Sequence, residues 1–293
     1  MKKAVAMACV RGLAAPAFAN ILDNFEVDSS ANYTILTDAN APSGDGTADS
    51  TATFAFDYIA AGIPLAPRST AGDRGGLRMT ANDLAGEADH ITAFHNSAFV
   101  NGSSLHMQVD MYMGVTGTGG TTEFSHIGIG SDGTDFNSIF TPIAGDGHFL
   151  AMTGEGGSSS DYRHFVEGTP VNSGDASYLN STNTTNATGD TYQSIFPSGS
   201  WDYPGSPGNG WVTVDIQVAG GEVTYSLNGT PIIRTPEVDA SGLISLGYTD
   251  AFTSVADPFQ SMFVIYDNLE VVPEPASLAL LALGGMMTLR RRR

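Results

Sequence analysis

Alternation of apolar and polar residues with a period of two is the feature that most constrains the fold of this chain. Apolar side chains occupy every second position from 212 to 218 and again from 223 to 227. Gly220-Gly221 separates these two runs, and Asn228-Gly229 follows the second one. Because Asn and Gly both tolerate positive φ, this dipeptide is typical of a type I′ hairpin turn. The block therefore predicts antiparallel strands joined by tight turns.

Other parts of the body repeat this pattern, and none shows a convincing helical period. Residues 105–113 alternate, residues 53–58 place Phe54, Phe56 and Tyr58 on one side, and further strands are predicted at 230–233, 243–248 and 262–271. Many short strands separated by Gly, Asn, Asp and Pro are typical of a sandwich or jelly roll. We predict an all-β fold of two antiparallel sheets in a single domain, residues 20–271.

The N-terminal segment has the composition of a secretory signal. Lys2, Lys3 and Arg11 are the only charged residues before Asp23, and the rest of the segment is small or apolar. Ala17 and Ala19 give the small-x-small form of a cleavage site, so we expect signal peptidase to remove residues 1–19. The alternative is an N-terminal helix of a cytosolic protein.

The C-terminal segment has three parts in a fixed order. Pro273, Glu274 and Pro275 precede an uncharged, mostly apolar run from 276 to 289, and four arginines follow: Arg290, Arg291, Arg292 and Arg293. A helix rises about 1.5 Å per residue, so this run spans only about 21 Å of a hydrocarbon core of about 30 Å. Terminal arginines favour the cytoplasmic side of a membrane. The segment predicts a short apolar helix that is a weak anchor.

These three parts closely resemble the PEP-CTERM sorting signal of Gram-negative bacteria, here over residues 272–293. The resemblance implies recognition by an exosortase and processing near the Pro-Glu-Pro. It also implies transient anchoring in the inner membrane, followed by delivery to the cell envelope, the outer surface or the extracellular matrix. An ordinary C-terminal membrane anchor is the alternative, and both interpretations give an exported body.

The charge of the body excludes some classes of partner. Between Asn20 and Val272, five arginines against 30 acidic residues leave a formal net charge of −25, and lysine is absent. Nucleic acid and anionic lipid would be repelled by such a surface. The single cysteine, Cys9, lies in the predicted signal peptide, so no disulfide is expected in the body.

A second resemblance rests on motifs spread over the body. These are Asp23-Asn24-Phe25-Glu26, the Trp-led strand 211–218, the Asn228-Gly229 turn, residues 242–248 and the closing segment 265–271. Their order is similar to that of concanavalin A-like lectins and glucanases, including laminin G-like modules. The resemblance implies a two-sheet jelly roll in which the last strand returns beside the first, and a concave face that often binds glycans.

Catalytic motifs of hydrolases are absent from the sequence. A retaining glucanase needs two carboxylates about 5 Å apart, and its usual Glu-x-Asp-x-Glu run does not occur. Glu87-Ala88-Asp89-His90 lacks a third acid, and Glu237-Val238-Asp239 is followed by Ser241 at the third acidic position. We therefore predict a protein that is not an enzyme and assign no catalytic residue. The alternative is a carbohydrate-active enzyme, a glycosidase or a lyase, with an unrecognised site.

Calcium is the only cofactor that the sequence suggests. Asp132 and Asp135 lie on a Gly-containing turn and offer the oxygen ligands that hard cations prefer. Asx-turn hydrogen bonding explains the same residues without a metal.

Two aromatic residues are the candidates for glycan binding. Trp201 and Tyr203 lie in a segment rich in Gly and Pro, where an aromatic face could stack on a sugar ring. The alternative is that they fold back onto the end of the sandwich. The sequence thus leaves three hypotheses: a lectin-like module that binds polysaccharide, a carbohydrate-active enzyme, and a purely structural surface or matrix component.

Overall fold

The fold is described from a computed structural model. The structure describes residues 20–38, 42–43, 47–81, 88–99, 104–115, 123–139, 145–154, 162–172, 174–179, 194–197, 206–238, 240–252, 255 and 260–273. The predicted signal peptide with Ala17 and Ala19 lies outside these ranges, as does the sorting segment from Glu274 and Pro275 to Arg290, Arg291, Arg292 and Arg293. Within the described ranges, no helix is long and apolar enough to cross a membrane.

One of the two main sheets has eight antiparallel strands. Its strands are β1 (Ile21–Asp23), β5 (Thr51–Asp57), β6 (Gly75–Thr80), β8 (Leu105–Gly114), β13 (Trp211–Ala219), β14 (Glu222–Leu227), β15 (Thr230–Pro236) and β17 (Phe263–Pro273). They lie in the order β15-β14-β13-β8-β17-β6-β5, and β1 also pairs with β17. The closing strand therefore returns beside the first strand, as the resemblance implied.

The other main sheet has seven antiparallel strands. Its strands are β2 (Tyr33–Thr37), β7 (Asp89–His95), β9 (Glu123–Ser131), β10 (His148–Thr153), β11 (Tyr162–Val166), β12 (Thr169–Pro170) and β16 (Leu243–Asp250). Their order is β12-β11-β10-β9-β16-β7-β2. A 3₁₀ turn, Ser30–Asn32, precedes β2, and β3 (Pro42–Ser43) pairs with β4 (Thr47–Ala48) apart from both sheets.

The core lies between the two sheets, which confirms the predicted sandwich. The predicted period of two places Met107, Val109 and Met111 of β8 in the core with Val212, Val214 and Ile216 of β13. Asn228 and Gly229 have φ angles of +48° and +77°, as a type I′ turn requires. Burial of this apolar surface is the dominant favourable contribution to folding.

One predicted strand face is wrong. Phe54, Phe56 and Tyr58 do not share a side, because the pairing of β5 with β6 shifts register between Thr53 and Phe56. Ala55 has a φ of +53° at this irregularity. Phe54 consequently packs on the main core, whereas Phe56 and Tyr58 pack on the outer face of the eight-stranded sheet.

Candidate functional site

A loop between β5 and β6 crosses the outer face of the eight-stranded sheet. We call residues 58–74 the covering loop. The indole Nε1 of Trp211 donates a hydrogen bond to the carbonyl oxygen of Pro64 at 2.6 Å. Ile63 and Ala66 of the loop join Tyr112, Trp211 and other side chains in a small cluster that is separate from the main core. The loop is thus packed on the sheet rather than extended into solvent.

Two carboxylates lie beneath the covering loop on neighbouring strands. Asp110 and Asp267 are register partners in the pairing of β8 with β17, and both are fully buried. Asp110 accepts hydrogen bonds from the hydroxyl of Thr213 at 2.7 Å, the backbone N–H of Arg68 at 3.1 Å and the side-chain amide of Asn268 at 3.1 Å. The Asp110 carboxylate therefore links the covering loop to β13 and β17, the two strands that flank β8.

Asp267 is bonded in the same way. Its carboxylate accepts hydrogen bonds from the hydroxyls of Tyr58 at 3.0 Å and Ser69 at 2.9 Å, and from the backbone N–H of Asn268 at 2.6 Å. Burial raises the pKa of Asp267 to about 6, although these hydrogen bonds act in the opposite direction. Since both carboxyl groups are buried and bonded, they hold the loop in place and do not face a cleft.

At one end of the covering loop, the outer face opens into a groove of about 600 Å³. We call it the aromatic groove. It is lined by side chains of the loop, of β5, β6, β8 and β17, and of the segment before β13, among them Phe56, Ile63, Arg78, Tyr112, Asn209 and Phe263. Both aromatic and polar groups therefore line the same concave surface.

Arg78 lies between two phenylalanine rings of the groove. Its guanidinium carbon is 5.3 Å from the ring centre of Phe56 and 5.0 Å from that of Phe263. Such cation–π contacts help to orient the guanidinium of Arg78. Arg78 also donates a hydrogen bond from Nη2 to the carbonyl oxygen of Gln260 at 3.0 Å. The ring of Tyr112 stacks on Phe263 at 6.2 Å with an interplanar angle of 21°.

Local sequence features explain how these rings reach the groove. The irregularity at Ala55 turns Phe56 outward, and Gly114 leaves room for Phe263, because a Cβ at Gly114 would overlap that ring. Asn209 closes one end: its side-chain amide donates to the carbonyl of Val115 at 3.0 Å, and its amide oxygen accepts from the N–H of Val115 at 3.0 Å.

The outer face of the seven-stranded sheet is covered at β7 and β16 by residues 132–139, which we call the plug. The backbone N–H of Asn137 donates to the hydroxyl of Thr92 at 2.9 Å, and its side-chain amide donates to the hydroxyl of Ser245 at 3.1 Å. The hydroxyl oxygen of Ser138 lies 2.9 Å from Nε2 of His90, and the ring of Phe136 stacks on that of His90 with 5.0 Å between the ring centres. The plug therefore covers this face at His90 and Thr92 of β7 and at Ser245 of β16.

A neutral histidine lies on the same face. His126 is fully buried against Gly247, where a Cβ would overlap the imidazole ring. Burial lowers the pKa of His126 to about 3, and the nearby His90 adds to the effect. A hydrogen bond with the backbone of Tyr248 acts in the opposite direction.

The predicted calcium ligands are occupied by their own loop. Oδ1 of Asp132 accepts hydrogen bonds from the N–H of Thr134 at 2.8 Å and from its hydroxyl at 2.7 Å, and Oδ1 of Asp135 accepts from the N–H of Phe136 at 2.9 Å. In the part of the chain that the structure describes, no group of three or more His, Cys, Asp or Glu side chains could hold a metal ion. The contacts fit the Asx-turn explanation.

Trp201 and Tyr203, the predicted glycan contacts, lie outside the described residues. The described chain resumes at Ser206, three residues before Asn209 of the aromatic groove. Phe56, Arg78, Tyr112 and Phe263 were not predicted as site residues. The aromatic residues at outward positions of the strands could have indicated the groove. No sequence motif, however, reports the register shift that turns Phe56 outward.

Residues 271–293 match the PEP-CTERM protein-sorting motif. The match implies exosortase-dependent export and anchoring at the cell surface. It covers the end of the chain and leaves the function of the sandwich open. Among curated protein sequences, none matches this chain.

Solved structures similar to this chain include lectins and a glucanase. UEA-II lectin complexed with galactose has a TM-score of 0.46 at 11% identity, covering 87% of this chain and 98% of that one. Bacillus licheniformis beta-glucanase has a TM-score of 0.43 at 8% identity, with coverage of 87% and 98%. A Bacillus subtilis protein of unknown function with a galectin-like fold has a TM-score of 0.42 at 8% identity, covering 86% of this chain and 94% of that one. These similarities describe the architecture and carry no argument about function.

Proposed function

We propose that this is an exported envelope or matrix protein that binds polysaccharide in the aromatic groove without cleaving it. The observation that carries the proposal is the groove itself, where the rings of Phe56, Tyr112 and Phe263 line one concave surface. Aromatic faces stack on the apolar faces of sugar rings. Arg78 and Asn209 add hydrogen-bond donors at the same surface. Such a combination suits a neutral polysaccharide.

Two features support binding without hydrolysis. A glycosidase needs two carboxylates flanking the scissile bond, and neither Asp nor Glu is among the residues that line the described groove. The paired carboxylates of Asp110 and Asp267 lie beneath the covering loop, and both are fully buried. The net charge of the body also disfavours anionic polymers, because like charges repel.

The sorting motif supports a route to the cell surface. In this proposal the apolar run 276–289 holds the protein in the inner membrane of a Gram-negative bacterium until an exosortase acts. The body then passes to the envelope, the outer surface or the extracellular matrix. A Pro273-Glu274-Pro275 to alanine variant should still be exported but should stay in the inner membrane. Surface delivery equal to that of the wild type would contradict this route.

The test of binding is a glycan array probed with the mature protein, with and without calcium. Phe263→Leu keeps the apolar bulk of the groove but removes an aromatic face, so we expect affinity to fall by about fivefold, or about 1 kcal/mol. Phe252→Leu is the matched control, because Phe252 is 48% exposed and does not line the groove. Equal affinity of Phe263→Leu and the wild type would contradict the site. Trp201→Ala tests the sequence-based contact in the same way.

A structural role in a surface layer or matrix is the second candidate function. It is favoured by the plug, which covers the outer face of the seven-stranded sheet at β7 and β16. Absence of binding on the array would favour this role. Release of reducing sugar from glucans by the purified protein would instead favour a carbohydrate-active enzyme.

A further inference from the structure

The last strand of the sandwich and the sorting motif share residues. Val271 is the first residue of the motif, and it is fully buried and paired with Met107 of β8 on one side and Ile21 of β1 on the other. Pro273, the first residue of the Pro-Glu-Pro, still pairs with Leu105. The start of the sorting motif is therefore part of the folded sheet.

The distance from the sheet to the apolar run is short. Only Glu274 and Pro275 separate Pro273 from the run that begins at Ala276. Two extended residues span at most about 7 Å. An enzyme that acts at the membrane near the Pro-Glu-Pro must therefore approach the end of the sandwich itself.

The neighbour of β17 changes along its length. On one edge of β17, β6 pairs with residues 264–266 and β1 pairs with residues 269–271. On the other edge, the pairing with β8 shifts register between Asp267 and Glu270. β1 is only three residues long, and its pairing is with β17 alone among the described strands. A strand this short contributes few ladder hydrogen bonds, so its detachment costs much less than unfolding of the sheet.

Two sets of contacts hold β1 in place. The side chain of Ile21 is 5% exposed and belongs to the main core. At the end of the strand, Asp23 accepts a hydrogen bond from the N–H of Phe25 at 2.9 Å. Beyond it, the carboxylate of Glu26 accepts hydrogen bonds from the N–H groups of Arg74 and Gly75, at 2.7 Å each. The Asp23-Asn24-Phe25-Glu26 motif thus fastens β1 to the start of β6.

We propose that β1 occupies the edge of β17 on which the sorting enzyme docks. The enzyme binds residues 269–273 as an extended strand, and it takes the place of β1 beside β17 while the pairing with β8 persists. Addition of a strand to an exposed sheet edge is a common mode of peptide recognition. Detachment of β1 then precedes processing, and the stability of β1 sets the processing rate. This interaction surface is independent of polysaccharide binding.

The first test compares two isoleucines of the same core in the full-length chain. Ile21→Ala weakens the docking of β1, so we expect conversion of precursor to processed protein to accelerate at least about tenfold in a pulse–chase experiment in the native host. Ile244→Ala is the matched control, since Ile244 is 1% exposed in the same core but lies on β16. Mass spectrometry of the processed form checks that signal-peptide removal is unchanged.

The second test separates the motif from the sheet. A six-residue Gly/Ser spacer after Val272 keeps the Pro-Glu-Pro intact but moves it away from the strand that the enzyme binds, so it should slow processing, whereas the same spacer between Gly220 and Gly221 should not. Unchanged processing in both Ile21→Ala and the Val272 spacer would overturn the proposal. Equal acceleration by Ile21→Ala and Ile244→Ala would also overturn it, because global stability would then set the rate. If the Pro273-Glu274-Pro275 to alanine variant is processed normally, exosortase-dependent sorting fails as well.

Discussion

The two outer faces of the sandwich are both covered by a loop, but they bury opposite kinds of titratable group. Beneath the covering loop lie the carboxylates of Asp110 and Asp267, each with three hydrogen-bond donors. On the outer face of the other sheet lies the buried imidazole of His126, whose pKa is lowered to about 3 by burial. A buried carboxylate needs donors to remain charged, whereas a buried imidazole can simply lose its proton.

This difference has a geometric consequence. Hydrogen bonds to charged groups are directional, and they fix the covering loop on β8 and β17 so that its end forms a wall of the aromatic groove. The plug instead contacts the hydroxyls of Thr92 and Ser245 and the imidazole of His90. The two covering segments are therefore held by different kinds of group, carboxylates on one face and hydroxyls with an imidazole on the other.

The largest effect should come from removing the central carboxylate. Asp110→Ala removes the acceptor that three donors share, so we expect the free energy of unfolding to fall by about 4 kcal/mol. Urea denaturation measures this change. Asp57→Ala is the control, because its ion pair with Arg74 is solvent-exposed and its loss should cost much less stability. Similar losses in both variants would show that the network does not hold the covering loop.

The plug side should lose stability in acid. The pKa of His126 is about 3 when folded and near 6.5 when unfolded. Between these values the unfolded state binds more protons, so stability is lost as pH falls. His126→Met removes this contribution, and the variant should gain up to about 3 kcal/mol relative to the wild type between pH 7 and pH 4. If the free energies of unfolding of the variant and the wild type change equally with pH, His126 is not a buried neutral imidazole.

The covering-loop side should respond to pH in the opposite direction. Folding raises the pKa of Asp267 to about 6 from an ordinary value of 3.8. The folded state therefore retains a proton that the unfolded state has lost, and stability falls as pH rises through this window. Asp267→Asn should remove this dependence, a relative change of about 2 kcal/mol between pH 4 and pH 6.5. Chemical denaturation at several pH values tests the sign as well as the size.

The smallest effect concerns packing under the plug. Gly247→Ala would force a Cβ into the ring of His126, which is fully buried, so we expect a loss of about 1 to 2 kcal/mol. At Gly174 the nearest atom to an added Cβ is 3.4 Å away, and Gly174→Ala should be close to neutral. Equal thermal stability of the two variants would mean that both the His126 ring and the backbone at Ile91 can move aside.

The fold was predictable from sequence where one strand face is polar. Strands β8 and β13 to β17 have the alternation or the turn residues that identified them. Strand β9 was missed because all of its residues are buried and its polar residues, such as the adjacent Ser125 and His126, do not alternate with apolar ones. The register shift in β5 depends on contacts with β6 and left no pattern in the sequence.

The candidate site was less predictable than the fold. The two sequence-based glycan contacts, Trp201 and Tyr203, fall outside the described residues and remain predictions. The groove is assembled from β5, β6, β8 and β17, whose side chains are far apart in the sequence. No local motif can report that Arg78 lies between Phe56 and Phe263, because strand order and register bring them together.

The pairing of β1 with the end of β17 also makes this sandwich a natural subject for circular permutation. Ile21 and Val271 are direct cross-strand partners, so a loop of a few residues could join the first strand to the last. New ends could open between Gly220 and Gly221, in a turn where no atoms lie within 4 Å of an added Cβ at either glycine. The rearranged protein should keep both outer faces, and in it the first and last strands would become a continuous hairpin.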